Sequence, residues 1–358
     1  MNRALVDKIA QALLYEGYIL YPYRPSVKSR QRWTFGGLYP RSWSESQETG
    51  DAWTMQTEVL VHGAGDATVE VSARFLHLID RTVGELLSPV SELSADGEPE
   101  FRTVETLQIG GNKYQAWQEA TERRFEAGEF KLDELTRQPR GIPFSFPFSR
   151  KIEPLRDSGD SKSKIVGLLI REQQGVEGEI ELSCLTLAKD LHRITVKIVN
   201  RTKLPNAAAM SRDDALVRSL LSMHTILGVH DGEFVSLTDP PEPCRAFARD
   251  CKNIGAWPVL IGQGTEHDTM LSSPIIVSDY PQLAPESPGD LFDSTEIDEI
   301  LTLRIMTLTD EEKSEAASVD DRVKKLLSRT ESLARDQLMN LHGTVRGLRP
   351  VPQEQSHG

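Results

Sequence analysis

Long apolar runs are missing. Nowhere in the 358 residues does an uninterrupted apolar stretch approach the roughly 18 positions that a membrane-crossing helix needs. The opening residues Met1–Ala10 break their apolar positions with Asp7 and other polar side chains. They read as an amphipathic helix, not as a secretory leader, which places the protein in the cytoplasm. Cysteine is scarce: Cys184, Cys244 and Cys251 cannot all pair, and Cys244-x6-Cys251 is not the spacing of a zinc ribbon or a thioredoxin motif. Positive charge is in deficit, with 41 Lys and Arg against 54 Asp and Glu. That balance disfavours nucleic acid as the main partner, because phosphate binding needs a cationic face. Also absent are a Gly-x-Ser-x-Gly elbow, a phosphate loop and a Gly-x-Gly-x-x-Gly fingerprint; Gly262-Gln263-Gly264 lacks the third glycine.

Against the acidic background one stretch stands out. From Tyr18 to Arg41 the chain carries Arg24, Lys28, Arg30, Arg32 and Arg41 and no acidic residue. Five of the seven tyrosines lie at or before Tyr39, in a chain with only 6% aromatics. In an extended segment Arg30 and Arg32 share one face, and Gln31 and Trp33 take the other. Two readings follow. Tyr23, Arg24, Lys28, Arg30, Arg32 and Trp33 form a docking surface for an acidic partner, with aromatic anchors. Alternatively, the aromatics are core and the arginines pair with the chain's own acidic residues. Between Glu286 and Asn340, 14 acidic residues face 7 basic ones.

Periodicity predicts a helix over residues 1–16, from Leu5, Ile9, Leu13 and Leu14. Thr54–Val61 and Thr68–Leu76 read as a hairpin about a turn at Gly63-Ala64-Gly65-Asp66. Phe101–Ile109 and Tyr114–Phe125 read as a second strand pair about Gly110-Gly111-Asn112. Ile165–Ile170, Gly178–Leu187 and Leu191–Val199 read as strands around a loop at 157–164 and later turns. Ser211-Arg212-Asp213-Asp214 has the form of a capping box, and Leu216, Leu220, Leu221 and Met223 give the predicted helix an apolar face. His224 falls at that helix's end. Trp257–Ile261 reads as a short buried strand. Helical stripes at Ile297–Leu308 and Val323–Leu338 close the chain.

The expected fold class is α+β, a mainly antiparallel β body followed by C-terminal helices, because strands precede helices in sequence. The expected domains are 1–205, mainly antiparallel β with an N-terminal helix, and 206–345, mixed to helical, with a flexible tail at 346–358. His224 and His230, with Cys244 and Cys251 downstream, are the one set that suggests a metal, but His-x5-His matches no common zinc or iron pattern. Asp290, Asp293, Glu296, Asp298 and Glu299 suit a helix start through its dipole.

Several stretches resemble an uncharacterised bacterial family encoded near nickel–iron hydrogenase genes. They are Tyr21–Ser26, Leu227–Val229 leading into Glu233–Pro241, Tyr280–Asp293, and Leu341–Leu348. The resemblance implies an accessory role in making or assembling a hydrogenase, with a hydrogenase subunit or maturation factor as protein partner. It transfers no catalytic residue, and no cofactor is expected. Two other readings stand beside it: an enzyme of unrecognised type with a site near Asp279–Asp293, and a metal-handling maturation factor using His224, His230, Cys244 and Cys251.

Overall fold

The computed structural model describes residues 2–19, 36–47, 50–94, 97–157 and 163–282, with Ser328 alone beyond them. In chain order it gives α1 (Arg3–Ile19), α2 (Arg41–Ser46), β1 (Thr54–Val90), β2 (Phe101–Val104), β3 (Thr106–Ile109), β4 (Asn112–Gln115) and β5 (Trp117–Lys131). Then come α3 (Leu132–Arg137), β6 (Arg140–Phe146), β7 (Ser149–Arg156), β8 (Ile165–Gln173), β9 (Val176–Ala188) and β10 (Leu191–Asn200). Last are α4 (Arg212–Leu216), β11 (Leu221–Val235), α5 (Arg245–Arg249), β12 (Trp257–Leu260) and β13 (Thr269–Ser273).

One strand organises the rest. β1 is 37 residues long, and drawn out straight it would span on the order of 120 Å. Register shifts between Gly63 and Thr68, at Val71/Ser72 and between Arg74 and Leu76 bend it instead. One edge of β1 carries β10, then β5, then β2. The opposite edge carries β11, then β8. From these branches run β9 and β6, β13 and β12, and β7, giving an antiparallel sheet of 11 strands. The pair β3–β4 stands apart as a hairpin. Its two-residue loop, Gly110-Gly111, has φ of 56° and 87° at the two glycines, the left-handed region a tight primed turn requires.

The odd positions Val59, Val61, Ala67, Val69, Val71, Ala73 and Phe75 of β1 face the main core. Phe144 from β6, Ile180 and Leu182 from β9, and Leu227 and Val229 from β11 join them. The sheet therefore curls on itself: the Phe144 ring reaches back to Phe125 on β5 with centroids 4.9 Å apart. Leu132 and Leu135 of α3 pack into the same core. On the outer face, α1 buries Val6, Ile9, Ala10 and Leu13 against Ile226, Val259, Ile261 and Leu271. Ile9 and Leu13 of the stripe read from the sequence lie here, Leu5 is half-buried beside them and Leu14 packs in a neighbouring cluster, and each fully buried Val, Ile or Leu contributes about 1.5–3 kcal/mol.

The structure corrects the expected fold class. The described residues are dominated by antiparallel sheet, and their helices beyond α1 are single short turns. The α+β expectation with C-terminal helices does not hold as drawn: residues 221–273, expected to be mixed to helical, supply β11, β12 and β13 to the one sheet. β11 pairs with β1, so the described chain on either side of residue 205 shares that sheet. The predicted helices at 297–308 and 323–338 lie, Ser328 apart, outside the described residues. Two local readings are also corrected. Residues 63–66 form an outward bulge within β1, not a hairpin turn, because the strand pairs continuously with β11 on either side. The Ser211 capping box is present, with the Ser211 hydroxyl accepting from the Asp214 N–H, but α4 stops at Leu216. Leu220, Leu221 and Met223 belong to the sheet side of that boundary, and His224 sits inside a strand. Among the described residues no helix is long and apolar enough to cross a membrane.

Candidate functional site

The residues of the predicted docking surface, Tyr23, Arg24, Lys28, Arg30, Arg32 and Trp33, lie outside the described residues. The end of that stretch is described, and it serves the fold. Leu38 exchanges backbone hydrogen bonds with Leu220, Tyr39 stacks on Trp43 with centroids 5.0 Å apart, and burial pushes the Tyr39 hydroxyl up to about 12. Arg41 lies over the Trp53 ring at 4.5 Å and pairs with Glu45.

The four residues considered for a metal are each engaged elsewhere. His224 is fully buried, its Nδ1 2.7 Å from the Ser222 carbonyl and its Nε2 3.2 Å from the Ser273 hydroxyl. Cys244 lies 3.4 Å from Nε2 of His62, and the Cys251 thiol donates to the Phe247 carbonyl. Burial pushes the Cys251 thiol up to about 11, which disfavours the thiolate a metal would need. His230 groups instead with Glu70 and Glu129, the one set of three potential ligands that gather among the described residues. Arg3 forms an ion pair with Glu70, so part of that negative charge is already balanced. Asp279 is also taken: its carboxylate accepts from the Leu260 N–H at 2.8 Å and from the Ser236 and Thr238 hydroxyls at 2.5 and 2.6 Å. It braces the loop after β13 against β12, and no histidine shares it. Asp290 and Asp293 lie outside the described residues.

A different cluster is chemically less complete. His77 follows Phe75 on the core-facing positions of β1, and Arg123 lies opposite Phe75 on β5. The His77 ring is fully buried, and neither Nδ1 nor Nε2 makes a hydrogen bond of ordinary geometry, although the Gln174 backbone is close enough to act on the ring. Burial, and then the Arg123 charge, push it down to about 4, so the ring is neutral at pH 7. Arg123 donates from Nη2 to Oε1 of Gln173 at 2.6 Å, and Gln173 in turn donates to the His77 carbonyl at 3.3 Å. The guanidinium rests 4.9 Å over the Phe146 ring, and its buried Nε has no partner. Burial lowers its pKa as well. Phe75, Phe125, Phe144 and Phe146 form one ring cluster around the pair, with neighbouring centroids 4.9–6.3 Å apart. Phe125, Phe146 and Arg123 are only half-buried, so the cluster reaches the surface.

The carboxylates of the flanking strands are committed elsewhere. Glu119 serves Arg81 and Arg171, Glu122 serves Arg74, Glu126 serves Arg124, and Glu172 serves Arg150. Arg123 has no acidic partner among the described residues. Nothing in the sequence marks this site: His77 and Arg123 stand 46 positions apart, and they meet only through the β1–β5 register. Phe144 and Phe146 carried a signal, as aromatics among prolines, without pointing to a partner. No protein-family model matches the chain, and no curated protein matches it.

Proposed function

We propose that this chain is a cytoplasmic, non-catalytic accessory or scaffold protein that acts through protein–protein contacts, with a subunit or maturation factor of a nickel–iron hydrogenase as its partner. The observation that carries the contact reading is the surface beside β12. Among the described residues, three of the six exposed large apolar ones, Ile254, Trp257 and Ile276, fall between residues 254 and 276. β12 ends the strand order, yet strand addition is blocked there. Pro258 has no N–H to offer, and the Leu260 N–H and carbonyl are taken by Asp279 and Tyr280. A partner at this edge is met by side chains, with Trp257 as the aromatic anchor that interface cores favour. The hydrogenase assignment rests on the resemblance of the four stretches quoted above, and the basic sequence around Arg30 and Arg32 offers positive charge for an acidic partner.

Reciprocal affinity purification tests both halves. Tagged chain should enrich hydrogenase components over a tag-only control, and a tagged hydrogenase large subunit should return this chain. Trp257→Ala and the double change Arg30→Glu with Arg32→Glu should each weaken recovery at least tenfold while leaving the melting temperature within a few degrees. Absence of hydrogenase components in both directions refutes the partner. Equal recovery by all variants refutes the two surfaces.

A further inference from the structure

The cluster at His77 is built like a receptor for a single negative charge. It offers a guanidinium with an unpartnered, buried Nε–H, a neutral imidazole whose nitrogens make no hydrogen bond of ordinary geometry beyond the nearby Gln174 backbone, and aromatic rings against both, Phe75 beside His77 and Phe146 under Arg123. A buried hydrogen-bonding group without a partner costs roughly 1–3 kcal/mol. The Arg123 Nε is such an atom, and the incompletely bonded His77 ring lies diagonal to it across the β1–β5 pair. The same protein satisfies another fully buried histidine, His224, on both ring nitrogens.

The chemistry of the ligand follows from the donors. One arginine with no second cation beside it suits one charge, which favours a carboxylate over a phosphate dianion. A neutral imidazole adds an N–H donor without adding charge. Phe125, Phe144 and Phe146 supply an apolar wall that a bare acetate would leave unused. Gln173 holds the Arg123 fork in place, so the donors are set before anything arrives. We infer that His77, Arg123 and Gln173, with Phe125, Phe144 and Phe146, form a binding site for a carboxylate carried on an aromatic or branched apolar body. Such a group occurs as a free aryl acid or as the C-terminus of a protein ending in an apolar residue. This inference does not depend on the hydrogenase assignment.

The test uses the full chain labelled with 15N. Histidine ring correlations report each tautomer and protonation state, and His77→Gln identifies the His77 signals by their loss. Phenylacetate is titrated against phenylacetamide, its uncharged analogue. In parallel, a short peptide ending in phenylalanine is added with a free and with an amidated C-terminus. The site predicts a saturable shift of the His77 ring with an acid, with a Kd on the order of 1 mM or tighter, and no matching shift with either amide. Arg123→Gln should weaken the acid response at least tenfold, and Arg123→Lys should fall between, since it keeps the charge and loses the planar fork. A response to both acids marks a general carboxylate site, and a response to the peptide acid alone marks a protein terminus as ligand. Equal responses to acid and amide, or no movement of His77 with either acid, overturns the inference. The wild-type comparison decides the matter even should an Arg123 variant fail to fold.

Discussion

The two sides of β1 handle buried charge in opposite ways. Under α1, Arg74 is almost fully enclosed, and its guanidinium donates to the Asp7 carbonyl and carboxylate, to Gln11 and to Glu122. Arg124 grips the same Asp7 through both carboxylate oxygens, at 2.7 and 2.9 Å. His224, opposite Arg74 in register, is bonded on both nitrogens. On the aromatic side, Arg123 has an amide and a ring in place of carboxylates, and His77 makes no hydrogen bond of ordinary geometry beyond the nearby Gln174 backbone. Burial of the two histidines is the same and both are pushed down to about 4. Burial and a depressed pKa therefore do not separate a structural histidine from a binding one; the hydrogen-bond inventory does.

The largest expected effect tests the paired side. Arg74→Leu leaves Glu122 without its cation in a half-buried setting and cuts one tie from α1 to the sheet. It should cost about 3–5 kcal/mol in urea unfolding, whereas Arg123→Gln should cost less, about 1.5–3 kcal/mol, the scale of one hydrogen bond to a charged group. Equal losses for the two arginines would break the comparison.

Acid titration gives the next effect. For both histidines the folded pKa lies below the usual value of about 6.5, so between pH 4 and 6.5 the unfolded chain binds more protons than the folded one. Their contribution to stability is present in full above pH 6.5 and is lost as pH falls through 4. Each histidine should account for roughly 3 kcal/mol over that window. His77→Phe should flatten the pH dependence by roughly half relative to the parent. An unchanged slope would mean that His77 is protonated in place.

A smaller effect sharpens the aromatic side. A Cβ added at Gly178 of β9 would overlap the Phe144 ring. Gly178→Ala should cost about 1–3 kcal/mol by overpacking and should displace the His77 ring signals while leaving those of His224 in place. Movement of both histidines would show that the two sides are mechanically one unit.

Much of this architecture was legible locally. The α1 stripe, the Gly110-Gly111 turn, the strands around residues 165–200 and the Ser211 cap each rest on contacts a few residues apart. β1 was not, because Gly63-Ala64-Gly65-Asp66 has the composition of a turn, and only pairing with β11 converts it to a bulge. β11 was not, because Leu216, Leu220, Leu221 and Met223 match a helical face as well as the alternation of a strand, and the sheet decided between them. The candidate site was the least legible. A histidine and an arginine gain meaning there through a cross-strand register and through the commitment of Glu119, Glu122, Glu126 and Glu172 to other arginines.

The length and position of β1 also bear on how the chain folds as it is made. β1 is complete at Val90, but β8 is complete only at Gln173, β10 at Asn200 and β11 at Val235. At about 5–20 residues per second of synthesis, the 145 residues between Val90 and Val235 take roughly ten to thirty seconds. Throughout that interval a 37-residue strand rich in Val, Leu and Ile has an open edge. Escape from aggregation during those seconds depends on what shields that edge, so yields of this protein should respond to chaperone supply and to slowed translation more strongly than to any single surface substitution.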